Sequence, residues 1–149
     1  MIITRFGILF KKKGNDFRSN WVSMALKSDI VHCEIIFSDG TKGASWYNYV
    51  GVGVFPQTVV GAPYYFIKLP NEYEAKTREW FELHKGASYN WAGIFGGMIK
   101  DLGITGKGYN CNDSCIYALK YAGMPLPEIT IAEIIKPADL YQIIKEKYT

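Results

Sequence analysis

Residues 30–37 (IVHCEIIF) form the clearest β-strand of the sequence. The stretch is rich in β-branched and apolar residues, and residues 38–40 (Ser-Asp-Gly) after it are typical of a turn. Because alternate residues of a strand share a face, His32 and Glu34 are predicted to point to one side and Cys33 to the other, into apolar packing. The strand therefore presents a base and a carboxylate side by side.

Outward from this strand, hydrophobic periodicity and turn residues predict the remaining elements. Further strands are predicted over residues 2–10, 43–55 and 63–69, and helices over residues 17–28, 71–84, 91–102, 111–122 and 137–147. Asn71 is expected to cap the helix that Gly86 ends, and Gly123 to close the helix over 111–122. The order of elements indicates a single α+β domain over residues 1–149, with an antiparallel sheet packed against helices.

Composition excludes several classes of protein. The chain has 149 residues, of which 48% are hydrophobic and 21% charged, so it is neither disordered nor a coiled coil. The net charge of +3 is only mildly basic, and we expect no nucleic-acid partner. Three cysteines do not build a disulfide framework and indicate a reducing compartment. Without a signal peptide or a long apolar segment, a cytoplasmic protein with no stable membrane insertion is expected.

Cys111 is the strongest candidate for chemistry. It follows Asn110, a good N-cap, and so lies in the first turn of a predicted helix, where free N–H groups favour a thiolate. A nucleophilic thiolate needs a base, and His32 with Glu34 as its orienting carboxylate completes a Cys-His-acid arrangement. The plainer interpretation makes Cys111 a small buried apolar residue. His84 ends a predicted helix, where a cation suits the dipole, and is left out of the site.

A zinc site is the rival interpretation of the same residues. His32 and Glu34 form an H-x-E pattern, and zinc-dependent nucleobase deaminases combine H-x-E with P-C-x-x-C. Here the cysteine pair, Cys111 and Cys115, has one residue more between its members and no preceding proline. A structural zinc bound by His32, Cys33, Cys111 and Cys115 also reaches four ligands, although His32 and Cys33 are neighbours on one strand and point to opposite faces. Core packing is the expected role of Cys33 and Cys115.

Four segments together resemble the circularly permuted papain-like hydrolases of the NlpC superfamily, in the YiiX-like and phage-encoded group related to lecithin retinol acyltransferase-like proteins. Residues 28–40 (SDIVHCEIIFSDG) are similar to the strand motif S-x-x-x-H-x-E-x-x-x-x-D-G of that group. Residues 111–123 (CNDSCIYALKYAG) are similar to its helix motif C-S-E-x-V-x-x-A-L-x-x-A-G. Residues 86–91 (GASYNW) resemble G-x-x-Y-D, and residues 136–140 (KPADL) resemble P-x-D-L. The resemblance covers most of the chain from residue 17 on.

The resemblance implies a permuted papain-like fold and a cysteine hydrolase or acyltransferase, with Cys111, His32 and Glu34 as catalytic residues. It implies no cofactor or metal, and a substrate containing a peptide, amide or acyl ester bond. The chain departs from the pattern at Asn90, which replaces a frequent Asp, and in residues 43–48, which carry no carboxylate or histidine where many relatives have their third catalytic group.

Further candidates for orienting His32 or for holding the substrate oxyanion beside the Cys111 N–H are Ser45, Asn48, Tyr89, Tyr109 and Asn110. A catalytically silent binding module on the same fold is the remaining alternative. The sequence does not indicate the oligomeric state.

Overall fold

The computed structural model describes residues 2–14, 28–46, 51–57, 63–87, 111–127 and 136–149. Its strands are β1 (Gly7–Lys12), β2 (Ile30–Ile36), β3 (Thr41–Trp46), β4 (Gly51–Pro56) and β5 (Tyr64–Lys68). They form one five-stranded sheet in the order β4-β3-β2-β1-β5, in which every neighbouring pair is antiparallel. Within the described ranges the α-helices are α1 (Glu74–Leu83), α2 (Cys111–Tyr121) and α3 (Pro137–Tyr148). The predicted α+β class and antiparallel sheet are confirmed.

The helices cover one face of the sheet, which we call the helix-covered face. Alternate residues of β1 and β2, such as Phe10 and its partner Cys33, join buried residues of all three helices in the main core. The residues between them point to the second face, where Ile3, Leu9 and Ile36 form a smaller cluster. The predicted alternation of β2 is therefore present, and it separates an apolar face from a face that also carries charge.

A β-bulge interrupts β2 immediately before His32. Lys11 of β1 pairs with His32, but the next residue of β1, Lys12, pairs with Ile30, so Val31 is the extra residue. As a result Ile30 lies in the main core although it is an odd number of residues from Cys33. A bulge bends its strand and changes the direction of nearby side chains. The bulge therefore changes the face of the sheet to which the residue before it belongs.

Tight backbone structures fix the register of β3 and the end of α2. At Gly40, which has a φ of 84°, the chain reverses so that Phe37 N–H donates to Thr41 C=O at 2.9 Å. This register places Lys42 opposite Ile36 on the second face. At the end of α2, Gly123 has a φ of 81°, and the N–H of Met124 donates to Leu119 at 3.1 Å, as in a Schellman motif.

Two predicted boundaries are wrong. Asn71 does not cap an α-helix, because residues 71–73 form a 3-10 turn in which Tyr73 N–H donates to Pro70 C=O, and α1 starts after it without a side-chain cap. The first strand begins at Gly7 and not at residue 2, because the backbone N–H and C=O of Ile3 bind the side-chain amide of Gln57.

The helices predicted over residues 17–28 and 91–102 lie outside the described residues, apart from Ser28. In the part of the chain that the structure describes, no helix has both the length and the apolar composition needed to cross a membrane.

Gly43 brings α1 close to the sheet, and its replacement should destabilise the fold. A Cβ atom at residue 43 would lie 2.5 Å from the Phe81 ring of α1, which is buried in the main core. We expect Gly43→Ala to lower the free energy of unfolding by about 1–3 kcal/mol through overpacking, measured by urea denaturation. Gly43→Ala/Phe81→Leu should be less destabilised than the two single variants predict together. Strictly additive effects would show that the ring is not what excludes a side chain here.

Candidate active site

Cys111 is the first residue of α2, the helix that packs against β2 and β3. Its side chain belongs to the main core, and the residue is only 4% exposed. At this position the sulfur lies beside the backbone N–H groups of the first helical turn, which have no partners within the helix. The positive end of the helix dipole stabilises a negative charge there. The predicted placement of Cys111 at a helix start is therefore confirmed.

His32 connects Cys111 to Glu34. The Nε2 atom of His32 lies 3.2 Å from Oε2 of Glu34, and both side chains are buried. The imidazole also forms a side-chain hydrogen bond with the Cys111 sulfur. Since Nε2 faces the carboxylate, Nδ1 is the ring atom left for the thiol. The structure thus brings Cys111, His32 and Glu34 together in a continuous chain of contacts.

His32 contacts a carboxylate of its own strand and a thiol from the helix layer. By pairing, His32 and Glu34 belong to the second face of the sheet, whereas Cys111 belongs to α2 on the helix-covered face. A residue in a regular strand points to one face only. The β-bulge at Val31 lies directly before His32, and bulges are a common device for redirecting a side chain next to a site.

The contacts stabilise an ion pair of thiolate and imidazolium. A hydrogen bond from the Cys33 thiol lowers the pKa of Cys111 well below its ordinary value; burial opposes this, and the hydrogen bond and charge of His32 lower it further. Burial works to lower the pKa of His32, but hydrogen bonds with Cys111 and Glu34 and the charges of both raise it above its ordinary value. The two shifts are in the directions that favour a charged nucleophile and a protonated acid.

Cys33 and Asn112 add to the site and were not expected there. Cys33 packs in the core as predicted, but its S–H also donates to Oδ1 of the buried Asn112 at 3.4 Å, and Cys111 in its thiol form donates to the same oxygen at 3.7 Å. Burial raises the pKa of Cys33 well above its ordinary value, and hydrogen bonds with Cys111 and Cys115 add to this. Cys33 is therefore the neutral donor and Cys111 the thiolate.

Glu34 is surrounded by positive charge. Lys42 Nζ lies 3.3 Å from Oε2 and Lys11 Nζ lies 3.4 Å from Oε1. Burial alone would raise the pKa of Glu34, but the hydrogen bond from His32 and the charges of His32, Lys11 and Lys42 lower it to about 2. The tight turn at residues 38–40 fixes the register of β3 and so could have indicated that Lys42 lies near Glu34. No local sequence pattern indicates that Lys11, which belongs to β1, lies there as well.

Among the other predicted site residues, the structure describes Ser45. Ser45 is buried in β3 opposite Val52. Asn48, Tyr89, Tyr109 and Asn110 lie outside the described residues. His84 caps α1, where its Nδ1 lies 2.8 Å from Trp80 C=O and its ring stacks on the Trp80 indole. Of the groups considered for orienting His32, Glu34 has a defined contact to the imidazole.

The zinc alternative finds no ligand set in the described ranges. Across those residues, no three His, Cys, Asp or Glu side chains are grouped so that they could hold a metal ion. His32 has its Nε2 on a carboxylate that is itself paired with lysines, and this suits a charged imidazole better than a metal-binding one.

Comparison with known proteins leaves the function to be argued from this geometry. Neither a family model nor a curated protein matches the chain. The arrangement itself can supply a nucleophile, a proton donor and an orienting carboxylate in contact with one another.

Alkylation should distinguish the three cysteines. Because a lowered pKa gives Cys111 a larger thiolate fraction than an ordinary thiol has, we expect iodoacetamide at pH 6 to label Cys111 before the fully buried Cys33 and Cys115, as measured by peptide mapping. His32→Ala should slow this labelling by about tenfold or more, since each unit of pKa changes the thiolate fraction tenfold. Glu34→Gln should slow it less. Equal labelling of all three thiols would contradict the assignment.

Glu34 should give the fold a dependence on acidic pH. Its pKa in the folded protein is about 2, below the ordinary 4.5, so its stabilising effect is present above pH 4.5 and is lost as the pH falls toward 2. We expect the free energy of unfolding to fall by roughly 3 kcal/mol across this interval on account of Glu34, and Glu34→Gln to remove that share. Urea denaturation at a series of pH values measures it.

Asp39 provides the matched control for that measurement. Its pKa is also lowered to about 2, through hydrogen bonds from Thr41 and contact with Arg78, but its side chain is 49% exposed. Salt screens exposed charges more than buried ones. The contribution to the free energy of unfolding that Asp39→Asn removes should therefore shrink in about 0.5 M NaCl. The contribution that Glu34→Gln removes should persist. An equal salt effect on both would contradict a buried Glu34.

Proposed function

We propose that the protein is a cysteine-dependent hydrolase or acyl-transfer enzyme that acts on an amide or ester carbonyl. Cys111 is the nucleophile, His32 the acid and base, and Glu34 the group that orients His32. The observation that carries the proposal is the continuous buried contact from the thiol at the start of α2, through the imidazole, to the carboxylate. This is the spatial signature of an activated nucleophile, in which the base is itself held by a third group.

The proposed reaction has two halves. The Cys111 thiolate attacks the carbonyl carbon, and as the bond to the leaving nitrogen or oxygen breaks, His32 gives its proton to the leaving group. A thioester on Cys111 remains. His32, now neutral, takes a proton from water or from an acceptor alcohol or amine, whose attack on the thioester releases the acyl product and restores the thiolate and imidazolium.

Glu34 suits its proposed role because of its charge and its position. A carboxylate with a pKa of about 2 stays ionised throughout the neutral range, so it can hold the imidazole in one orientation in both halves of the reaction. Its contact at Nε2 leaves Nδ1 for exchanging protons with the thiol and the leaving group.

The permuted papain-like fold belongs to the same proposal. The histidine strand precedes the cysteine helix in the chain, and that helix packs against the strand carrying the histidine. With the four sequence motifs, this order supports membership of the NlpC superfamily. The substrate classes that the resemblance implies are peptides and isopeptides, cell-wall amides and acyl esters.

Trapping the thioester tests the proposal. We expect incubation with a panel of activated acyl esters and amides to leave an acyl group on Cys111, seen as a mass increase in the intact protein and located by peptide mapping. Cys111→Ala should abolish both the adduct and turnover, and His32→Ala should lower kcat/KM by about 10³-fold or more. The rate should be bell-shaped in pH, between the lowered pKa of Cys111 and the raised pKa of His32.

Cys115→Ser is the matched control, because Cys115 lies on the same helix one turn later and is fully buried in the core. Its folded fraction should keep the adduct and the turnover. A folded protein that labels at Cys111 with iodoacetamide, yet forms no acyl adduct and turns over no member of the panel, would favour a catalytically silent binding module.

A further inference from the structure

Lys42 is an unusual residue for a protein core. It lies in β3 on the second face of the sheet, and its side chain is only 2% exposed. Lysine is almost never fully buried unless it is paired, because removing an ammonium group from water is strongly unfavourable. The opposite charge within reach is Glu34, whose Oε2 lies 3.3 Å from Lys42 Nζ.

That same oxygen also contacts the proposed acid and base. Oε2 of Glu34 lies 3.2 Å from Nε2 of His32, so His32 and Lys42 share one carboxylate oxygen, while Lys11 lies 3.4 Å from the other. The charged groups facing Glu34 thus come from its own strand and from the two strands that flank it. A carboxylate that only had to orient a histidine would need a single such contact.

The sharing of Oε2 of Glu34 by His32 and Lys42 affects how readily His32 gives up its proton. A carboxylate paired with a buried imidazolium and nothing else stabilises the charged form of the ring strongly, and the ring then holds its proton. A second cation on the same oxygen offsets part of the negative charge that stabilises the imidazolium, and it also repels the imidazolium directly. The proton on His32 is thereby easier to release, while the oxygen remains in place beside Nε2.

We propose, on the basis of the function proposed above, that Lys42 is a positioning residue that shares Oε2 of Glu34 with His32 and so keeps the imidazolium acidic enough to protonate the leaving group. Lys42 touches neither the thiol nor the reacting carbonyl in this proposal. It acts through the shared Glu34 oxygen and through its own repulsion of the imidazolium, and Lys11 acts in the same direction from the other carboxylate oxygen.

The titration of His32 tests the proposal without a substrate. We expect Lys42→Met, which keeps most of the volume and removes the charge, to raise the pKa of His32 by about one unit, since a unit charge a few ångströms away has an effect of this order at a protein-like dielectric. The measurement is an NMR titration of ¹⁵N-labelled imidazole. The chain has two histidines, so His84 at the end of α1 serves as the internal reference and should not shift.

Two further variants control the titration. Lys76→Met removes a lysine charge from an exposed pair with Glu79 and should leave His32 unchanged. Glu34→Gln removes the shared carboxylate, so adding Lys42→Met to it should raise the pKa of His32 by less than in the parent protein and should not lower stability, because the lysine has already lost its buried partner. An unshifted or lowered His32 pKa in folded Lys42→Met would overturn the proposal, as would the same upward shift in the Glu34→Gln background.

Lys11→Met covers the case in which Lys42→Met does not fold. The Lys11 side chain is 19% exposed, so its loss disturbs the core less, and the same reasoning requires an upward shift of His32 that is smaller than one unit. No shift in this variant would then overturn the proposal.

Kinetics separate this inference from the function on which it depends. With an acyl ester that the enzyme turns over, Lys42→Met should lower kcat several-fold at little change in KM and move the alkaline limb of the pH profile upward. Normal kinetics with an unshifted His32 would reject the role of Lys42 and leave the hydrolase in place. A shifted His32 in a protein that forms no acyl adduct would reject the hydrolase and leave the electrostatic coupling.

Discussion

The buried carboxylate of Glu34 is the constraint on which the rest of the site depends. An ionised carboxylate away from water is unfavourable unless positive groups and hydrogen bonds surround it. Here the compensation comes from three adjacent strands, because Lys11, His32 and Lys42 belong to β1, β2 and β3. The charge state of the site therefore depends on the order and register in which β1, β2 and β3 pair.

The two faces of the sheet provide different environments, one apolar and one that also carries charge. On the helix-covered face, residues such as Phe10 and Ile35 pack against the helices and form the main core. On the second face, a small apolar cluster around Leu9 lies beside the charged group of Glu34. The thiol and the imidazole meet where these two environments adjoin, so the nucleophile is held by apolar packing and its base by ionic contacts.

Local patterns predicted the elements of the site but not the way in which they meet. The strand over residues 30–37 and the helix that Gly123 closes follow from composition and turn residues, and their side-chain alternation placed His32 beside Glu34. The bulge at Val31 and the approach of Lys11 depend on the pairing of β1 with β2, which is a non-local choice. The predicted start of α1 was wrong for a local reason. The carbonyl of Pro70 accepts a hydrogen bond from Tyr73 N–H, so residues 71–73 form a 3-10 turn and Asn71 does not cap the helix.

The extra residue in β2 also affects how this strand compares with others. Ile30, the strand residue before Val31, lies on the same face as Cys33 and Ile35, one step out of phase with the alternation that follows the bulge. An alignment with a strand that lacks the bulge therefore needs a one-residue gap at this position. Without that gap, either Ile30 or His32 is matched to a residue from the opposite side of the sheet. Profiles built for this strand should accordingly tolerate an insertion directly before the histidine, where ordinary scoring penalises gaps most heavily.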